Sequence, residues 1–315
     1  MSRVLLVDIP ILSDSQRQAI EETAKARGFE VAFDKAAAAE AEIIFGADAA
    51  LLERSPKLKW LCVPSAWAEQ YLKPALEDRE GVLLSNSSGA YGVTIAEHIV
   101  MVTLMLMRRE PEYAALMGRR GWRRDLPIRS IRGSRVTLLG TGDIGREAAL
   151  RLRAFGAKSI VGVNRRGACP GEMFDEVVAI DNIDRILPDT DLLVMSLPDT
   201  PMTRGLMDDR RLGLLPADAF IVNVGRGSVL DEFALARQLH AGRFGGVALD
   251  VFAREPLPGD DPLWDCPRLL ITPHVAGNMT LDYTVERIVG LFLEDFANYC
   301  DGRPLARRVT RGQGY

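Results

Sequence analysis

The hexapeptide Gly140-Thr141-Gly142-Asp143-Ile144-Gly145 constrains this chain more than any other segment. It follows the apolar run Val136-Thr137-Leu138-Leu139 and opens an amphipathic stretch over residues 146–155. A glycine-rich hexapeptide alone arises readily by chance. Strand, glycine turn and helix in that order are what a dinucleotide pyrophosphate requires. The first glycine makes the tight turn and the second admits the backbone to the phosphates. The third lets the helix pack on the strand, while the helix start offers N–H groups and the positive end of its dipole. Gly140, Thr141, Gly142, Asp143, Ile144 and Gly145 are the expected phosphate-binding residues, against the alternative of a plain strand-to-helix turn.

Around this loop, short apolar runs alternate with helical periodicity. Strands are expected at residues 135–139, 159–163, 192–196, 220–224, 246–250 and 269–272, enough for a full dinucleotide-binding domain. An earlier series reads as strands at 4–7, 30–33, 43–45, 59–63 and 82–85. Its first helix spans residues 13–27, opened by Ser13 and closed by Gly28. This first unit ends near residues 86–88, a buried helix follows at 93–109, and an amphipathic helix at 281–299 comes last. The fold class expected is α/β, two doubly wound parallel-sheet domains.

Composition supports two domains and narrows the partners. At 315 residues with 47% hydrophobic and 26% charged, the chain has apolar material for two cores. A net charge of −4 argues against a nucleic-acid partner. The longest apolar run, residues 99–107, is about half a membrane span, so no membrane partner is expected. Residues 1–10 lack the pattern of a signal peptide, and a cytoplasmic location is expected. Cys62, Cys169, Cys266 and Cys300 show no CxxC spacing and read as reduced thiols; with three scattered histidines, no metal site is expected. The arginine-rich stretch at 119–135 reads as a solvated arm rather than a phosphate or nucleic-acid site.

The strand after the glycine loop should end at the residue that reads the adenosine ribose, where an NAD site usually carries Asp or Glu. Here Asn164 stands there, followed by Arg165 and Arg166. Two guanidiniums without a carboxylate suit a 2′-phosphate, so NADP(H) is the preferred cofactor and NAD(H) remains possible.

Three polar groups stand past strands in the C-terminal half. Arg226 follows the strand at 220–224 between two glycines, at the end where open parallel sheets bind ligands. Its guanidinium can grip a carboxylate and polarise the adjacent carbonyl. Glu255 follows the strand at 246–250, and His274 the strand at 269–272. Histidine is the natural proton donor to a carbonyl oxygen, and a neighbouring carboxylate would orient the ring and favour its charged form. His98, inside the buried helix, and His240, near a helix end, read as structural. Asp250 either faces the nicotinamide side of a cofactor or caps the following turn.

Together these segments resemble the D-isomer-specific 2-hydroxyacid dehydrogenase family over nearly the whole chain. The motifs fall in order: NSSGAYGVTIAEH at 86–98, the glycine loop, LPDTPMT at 197–203, and the stretches 222–227, 249–258 and 272–277. The Asn164-Arg165-Arg166 run looks like the NADPH-dependent glyoxylate/hydroxypyruvate reductase branch. The resemblance implies that Arg226, Glu255 and His274 form the catalytic set, with His274 as acid/base and Arg226 as substrate anchor. It implies that Leu197, Pro198, Thr203, Val224 and Asp250 line the cofactor. It further implies a Rossmann cofactor domain at 93–284, inserted in a flavodoxin-like substrate domain at 1–92 and 285–315, and a homodimer. The substrate loop corresponds to Ser65-Ala66-Trp67-Ala68-Glu69. There Trp67 replaces a glycine, so either the indole lines the pocket in a shifted loop or it turns away while its N–H still serves. A non-catalytic dinucleotide-sensing protein is the alternative from another class.

Overall fold

The computed structural model describes residues 3–68, 71, 76, 79, 81–168 and 172–310. Glu69 and Cys169 lie outside the described residues. The chain forms two compact units, residues 1–91 with 279–315 and residues 92–278.

In the first unit, strands β1 (Arg3–Asp8), β2 (Phe29–Ala32), β3 (Ala41–Gly46), β4 (Trp60–Cys62) and β5 (Leu83–Ser85) form a parallel sheet. The order β2-β1-β3-β4-β5 is that of flavodoxin-like sheets. Val4, Leu5, Leu6 and Val7 are all buried, the continuous apolar run expected of a strand covered on both faces. The helix Asp14–Ala26 begins in a reciprocal cap: Gln16 N–H donates to Ser13 Oγ, and Ser13 N–H to Gln16 Oε1 at 3.0 Å. The final helix, Asp282–Cys300, belongs whole to this unit and starts it again before the expected break at 285. Its buried stripe of Val285, Ile288, Val289, Phe292 and Phe296 explains why. Phe292 stacks on Phe45 of β3 with ring centroids 4.0 Å apart and reaches Trp60 of β4 at 5.5 Å. Beyond the helix, Val309 N–H donates to Leu84 O at 2.8 Å, tying the tail to β5.

The second unit has seven parallel strands: β6 (Arg135–Leu139), β7 (Ser159–Asn164), β8 (Glu176–Ala179), β9 (Leu192–Met195), β10 (Phe220–Asn223), β11 (Gly246–Leu249) and β12 (Leu269–Ile271). Their order is β12-β11-β10-β9-β6-β7-β8, and the direction of winding reverses between β6 and β9. That reversal is where a doubly wound sheet opens a crevice at its carboxyl ends.

Two elements depart from the sequence expectation. Strand β8 is a seventh strand where six were expected; it lies at the sheet edge, buries only Val178 fully, and its apolar run Val177-Val178-Ala179 is short. The buried helix ends at Met107, and a second helix, Glu110–Gly118, follows where a bare connection was expected. That helix buries none of its residues, which leaves no apolar stripe to read. Several arginines after it pair with carboxylates: Arg123 with Asp125, Arg129 with Asp218, and Arg135 with Asp191 at 3.0 Å. No helix among the described residues is long and apolar enough to cross a membrane. Cys62, Cys266 and Cys300 are free thiols.

Candidate active site

The glycine loop lies at the carboxyl end of β6, beside the reversal in strand order. Gly140 takes φ 115°, a conformation closed to most side chains, and a Cβ there would lie 2.6 Å from Ser196 Oγ past β9. A Cβ on Gly145 would lie 2.0 Å from the Gly140 carbonyl oxygen, so the helix Asp143–Ala154 packs directly onto the turn. The cradle between them is open: nothing stands within 4 Å of a Cβ built on Gly142. Gly142 is also the N-cap and supplies no side-chain acceptor, which leaves the first helical N–H groups to an anion. These residues fit a bound dinucleotide pyrophosphate.

The turn after β7 lies against the glycine loop. Asn164, last in β7, donates through Nδ2 to Thr141 Oγ1 at 2.8 Å, joining that turn to the glycine loop. Its Oδ1 accepts from the N–H groups of Arg166 and Gly167, each at 2.9 Å. Asn164 thus shapes the turn on which Arg165 and Arg166 stand exposed, with no carboxylate at the strand end. After β9, Leu197 is buried, and Thr203 Oγ1 donates to Pro198 O at 2.6 Å, closing the 197–203 segment into a compact turn. Val224 N–H donates to Met195 O at 3.0 Å, so the ends of β9 and β10 stay in register.

Glu255 and His274 meet. Glu255 Oε2 lies 2.7 Å from His274 Nδ1, and Glu255 Oε1 accepts from Phe252 N–H at 2.9 Å. An ionised carboxylate only accepts, so Nδ1 carries the hydrogen and Nε2 is left to exchange a proton with a substrate. Both side chains are partly open to solvent, at 45% and 35% exposure, as a proton donor to a diffusible substrate must be. Arg226 joins through the backbone: Gly227, next to it, packs so closely that a Cβ would fall 1.9 Å from the Phe252 carbonyl carbon. Arg226 itself is half-buried and donates through Nη1 to Gly225 O.

Asp250 holds the turn that follows β12. It is only 2% exposed and accepts from Thr272 Oγ1 at 2.6 Å, Val275 N–H at 2.9 Å and Ala276 N–H at 3.0 Å. Its backbone oxygen also accepts His274 N–H at 2.8 Å. The residue therefore clamps the turn that carries the histidine. Sequence reasoning set His98 aside, yet its Nε2 lies 3.4 Å from Thr272 Oγ1 and 4.0 Å from Asp250 Oδ1. Burial lowers the His98 pKa against an opposing pull from Asp250, so the ring is neutral at neutral pH and backs this clamp as a dipole. No local signal could have found it, because its partners lie far along the chain.

In the first unit, the loop residues Ser65, Ala66, Trp67 and Ala68 follow β4. Asn86 Nδ2 donates to Ala66 O at 3.0 Å, Ser87 N–H to Ser65 O at 2.9 Å, and the Ser65 hydroxyl to Trp67 O. Ala68 is fully buried, whereas Trp67 is 42% exposed. The loop backbone is thus held from below while the indole stays at the surface.

A glycine cradle at the switch point of a doubly wound sheet, with a carboxylate-backed histidine at neighbouring strand ends, defines a dinucleotide-dependent oxidoreductase. Residues 100–276 match the family described as D-isomer specific 2-hydroxyacid dehydrogenase, NAD binding domain. Glyoxylate/hydroxypyruvate reductase A of Salmonella newport is 30% identical over 246 residues, 77% of this chain and 75% of that protein. A D-isomer specific 2-hydroxyacid dehydrogenase family protein from Aeromonas salmonicida superposes with a TM-score of 0.82 at 30% identity, covering 98% of this chain and 99% of its own. The NADPH-dependent glyoxylate/hydroxypyruvate reductase of Sinorhizobium meliloti, solved with NADP and sulfate, gives 0.79 at 27% identity, covering 99% and 100%. The chain belongs to the D-isomer specific 2-hydroxyacid dehydrogenase family.

Proposed function

We propose that this protein uses NADPH in preference to NADH to reduce a small 2-oxo acid of the glyoxylate or hydroxypyruvate kind to the D-2-hydroxy acid. The coarser reaction, NAD(P)H-dependent reduction of a 2-oxo acid, is that of its family. The observation that carries the proposal is the 2.7 Å contact between Glu255 and His274 at the strand ends beyond the glycine loop.

A nicotinamide cofactor held at the glycine loop of residues 140–145 would supply the hydride for this reduction. His274 gives a proton from Nε2 to the carbonyl oxygen, and Glu255 stabilises the imidazolium before that transfer. Arg226 binds the carboxylate and polarises the carbonyl. Ser65, Ala66, Trp67 and Ala68 would offer backbone N–H groups to a substrate. Leu197, Pro198, Thr203, Val224 and Asp250 would border the cofactor, and Arg165 and Arg166 would hold its 2′-phosphate. The NADP in the Sinorhizobium structure supports the cofactor preference, and the names of the Salmonella and Sinorhizobium relatives support the substrate class. A cytoplasmic homodimer is the setting proposed for this chemistry.

The test is NADPH oxidation, followed at its absorbance band, against a panel of 2-oxo acids that includes glyoxylate and hydroxypyruvate. Turnover with members of that panel is expected. Tight NADPH binding without turnover of any acid would overturn the proposal in favour of a dinucleotide-sensing role.

A further inference from the structure

Glu232 is a carboxylate beside the acid/base pair that the reaction above leaves without a task. It is the first residue of the helix Glu232–His240, whose cap Asp231 accepts Ala234 N–H at 2.9 Å. From there Glu232 Oε1 accepts Ala253 N–H at 2.8 Å. The preceding N–H, that of Phe252, goes to Glu255. Two consecutive backbone donors are thus held by two different carboxylates, one of which orients His274. The peptide bond between Phe252 and Ala253 is also the one on which Gly227 rests, since a Cβ there would lie 2.1 Å from Ala253 N.

We infer that Glu232 is a positioning residue: it fixes the Phe252–Ala253 peptide that joins the Arg226 turn to the Glu255 turn, and its charge helps keep His274 protonated. The inference rests on the acid/base role of His274 proposed above. Geometry supplies the first half, because the Phe252–Ala253 peptide meets Gly227 and donates to Glu232, while the peptide just before it donates to Glu255. Chemistry supplies the second. A neutral amide could accept the same hydrogen bond, yet a carboxylate stands here facing the carboxylates of Asp261, Glu255 and Asp231. Burial pushes the Glu232 carboxyl up to about 7. As pH rises through that value, a negative charge appears behind Glu255 and opposes the loss of the imidazolium proton. Reduction, which consumes that proton, is thereby carried to higher pH.

The test compares Glu232→Gln and Glu232→Ala with the parent enzyme by two readouts. The first is the imidazole titration of the three histidines by NMR, with His274 assigned from its loss in His274→Ala. The second is the pH profile of kcat/KM with NADPH and an accepted 2-oxo acid. In Glu232→Gln, the His274 midpoint and the alkaline limb of reduction are expected to move acid by about half a pH unit, with kcat at pH 6 retained. In Glu232→Ala, kcat at pH 6 is expected to fall about tenfold with NADPH affinity unchanged. A Gln titration superimposable on the parent's, or an Ala variant with full kcat, overturns the inference. The NMR titration needs no substrate, so an enzyme that turns over no 2-oxo acid overturns the proposed reaction while this measurement still decides the role of Glu232.

Discussion

His274 holds a left-handed backbone, φ 54°, which costs a non-glycine residue about 1–2 kcal/mol. Asp250 offsets that strain by accepting the N–H groups of His274, Val275 and Ala276 through its backbone and side-chain oxygens. The ring is consequently aimed by its backbone as well as by Glu255. Replacing it by alanine should remove the proposed proton donor and little else. His274→Ala is expected to cut reduction by about a hundredfold or more, with NADPH affinity by fluorescence titration unchanged. Retained turnover would place the donor elsewhere. On the turn after β7, Arg165→Ala combined with Arg166→Ala should weaken NADPH far more than NADH in the same titration. Equal losses for the two cofactors would show that the guanidiniums are bystanders.

At the scale of elements, the glycine loop is where local sequence and tertiary packing say the same thing. Gly145→Ala would put a methyl 2.0 Å from the Gly140 carbonyl oxygen, so the turn or the helix must shift. The expected outcome is loss of dinucleotide binding by calorimetry while the circular dichroism of the sheet persists. Undiminished binding would mean that the loop is not the pyrophosphate site. Legibility elsewhere followed burial. Strands covered on both faces, such as β1 and β10, declared themselves as apolar runs, and Ser13 and Gly28 marked the ends of their helix from sequence alone. The edge strand β8, with only three apolar residues, and the Glu110–Gly118 helix, which fully buries none of its residues, did not. Glu255 and His274 were legible because each follows a strand, where chemistry is expected. Their supports were hidden: His98 and Glu232 act through partners that only the folded sheet brings near, and Asp250 showed its carboxylate without showing what it accepts.

At the scale of the molecule, the two units draw on the chain differently. The second is continuous from 92 to 278, whereas the first needs both 1–91 and 279–315. Its aromatic core depends on Phe292 against Phe45 and Trp60. Phe292→Ala is expected to destabilise that unit by about 3–5 kcal/mol. Hydrogen exchange should show protection falling in β1–β5 and holding in β6–β12; an equal fall in both would mean that the units open as one.

The same discontinuity sets an order for biosynthesis. Phe45 and Trp60 leave the ribosome before the cofactor unit has been made, and Phe292 only after it. At about 5–20 residues per second, the interval is roughly 10–50 s. Through that interval the face that Phe292 will cover stays open on the nascent chain, while the continuous unit can already close. A domain begun first is finished last, and the uncovered aromatic face is where a holding chaperone would be needed.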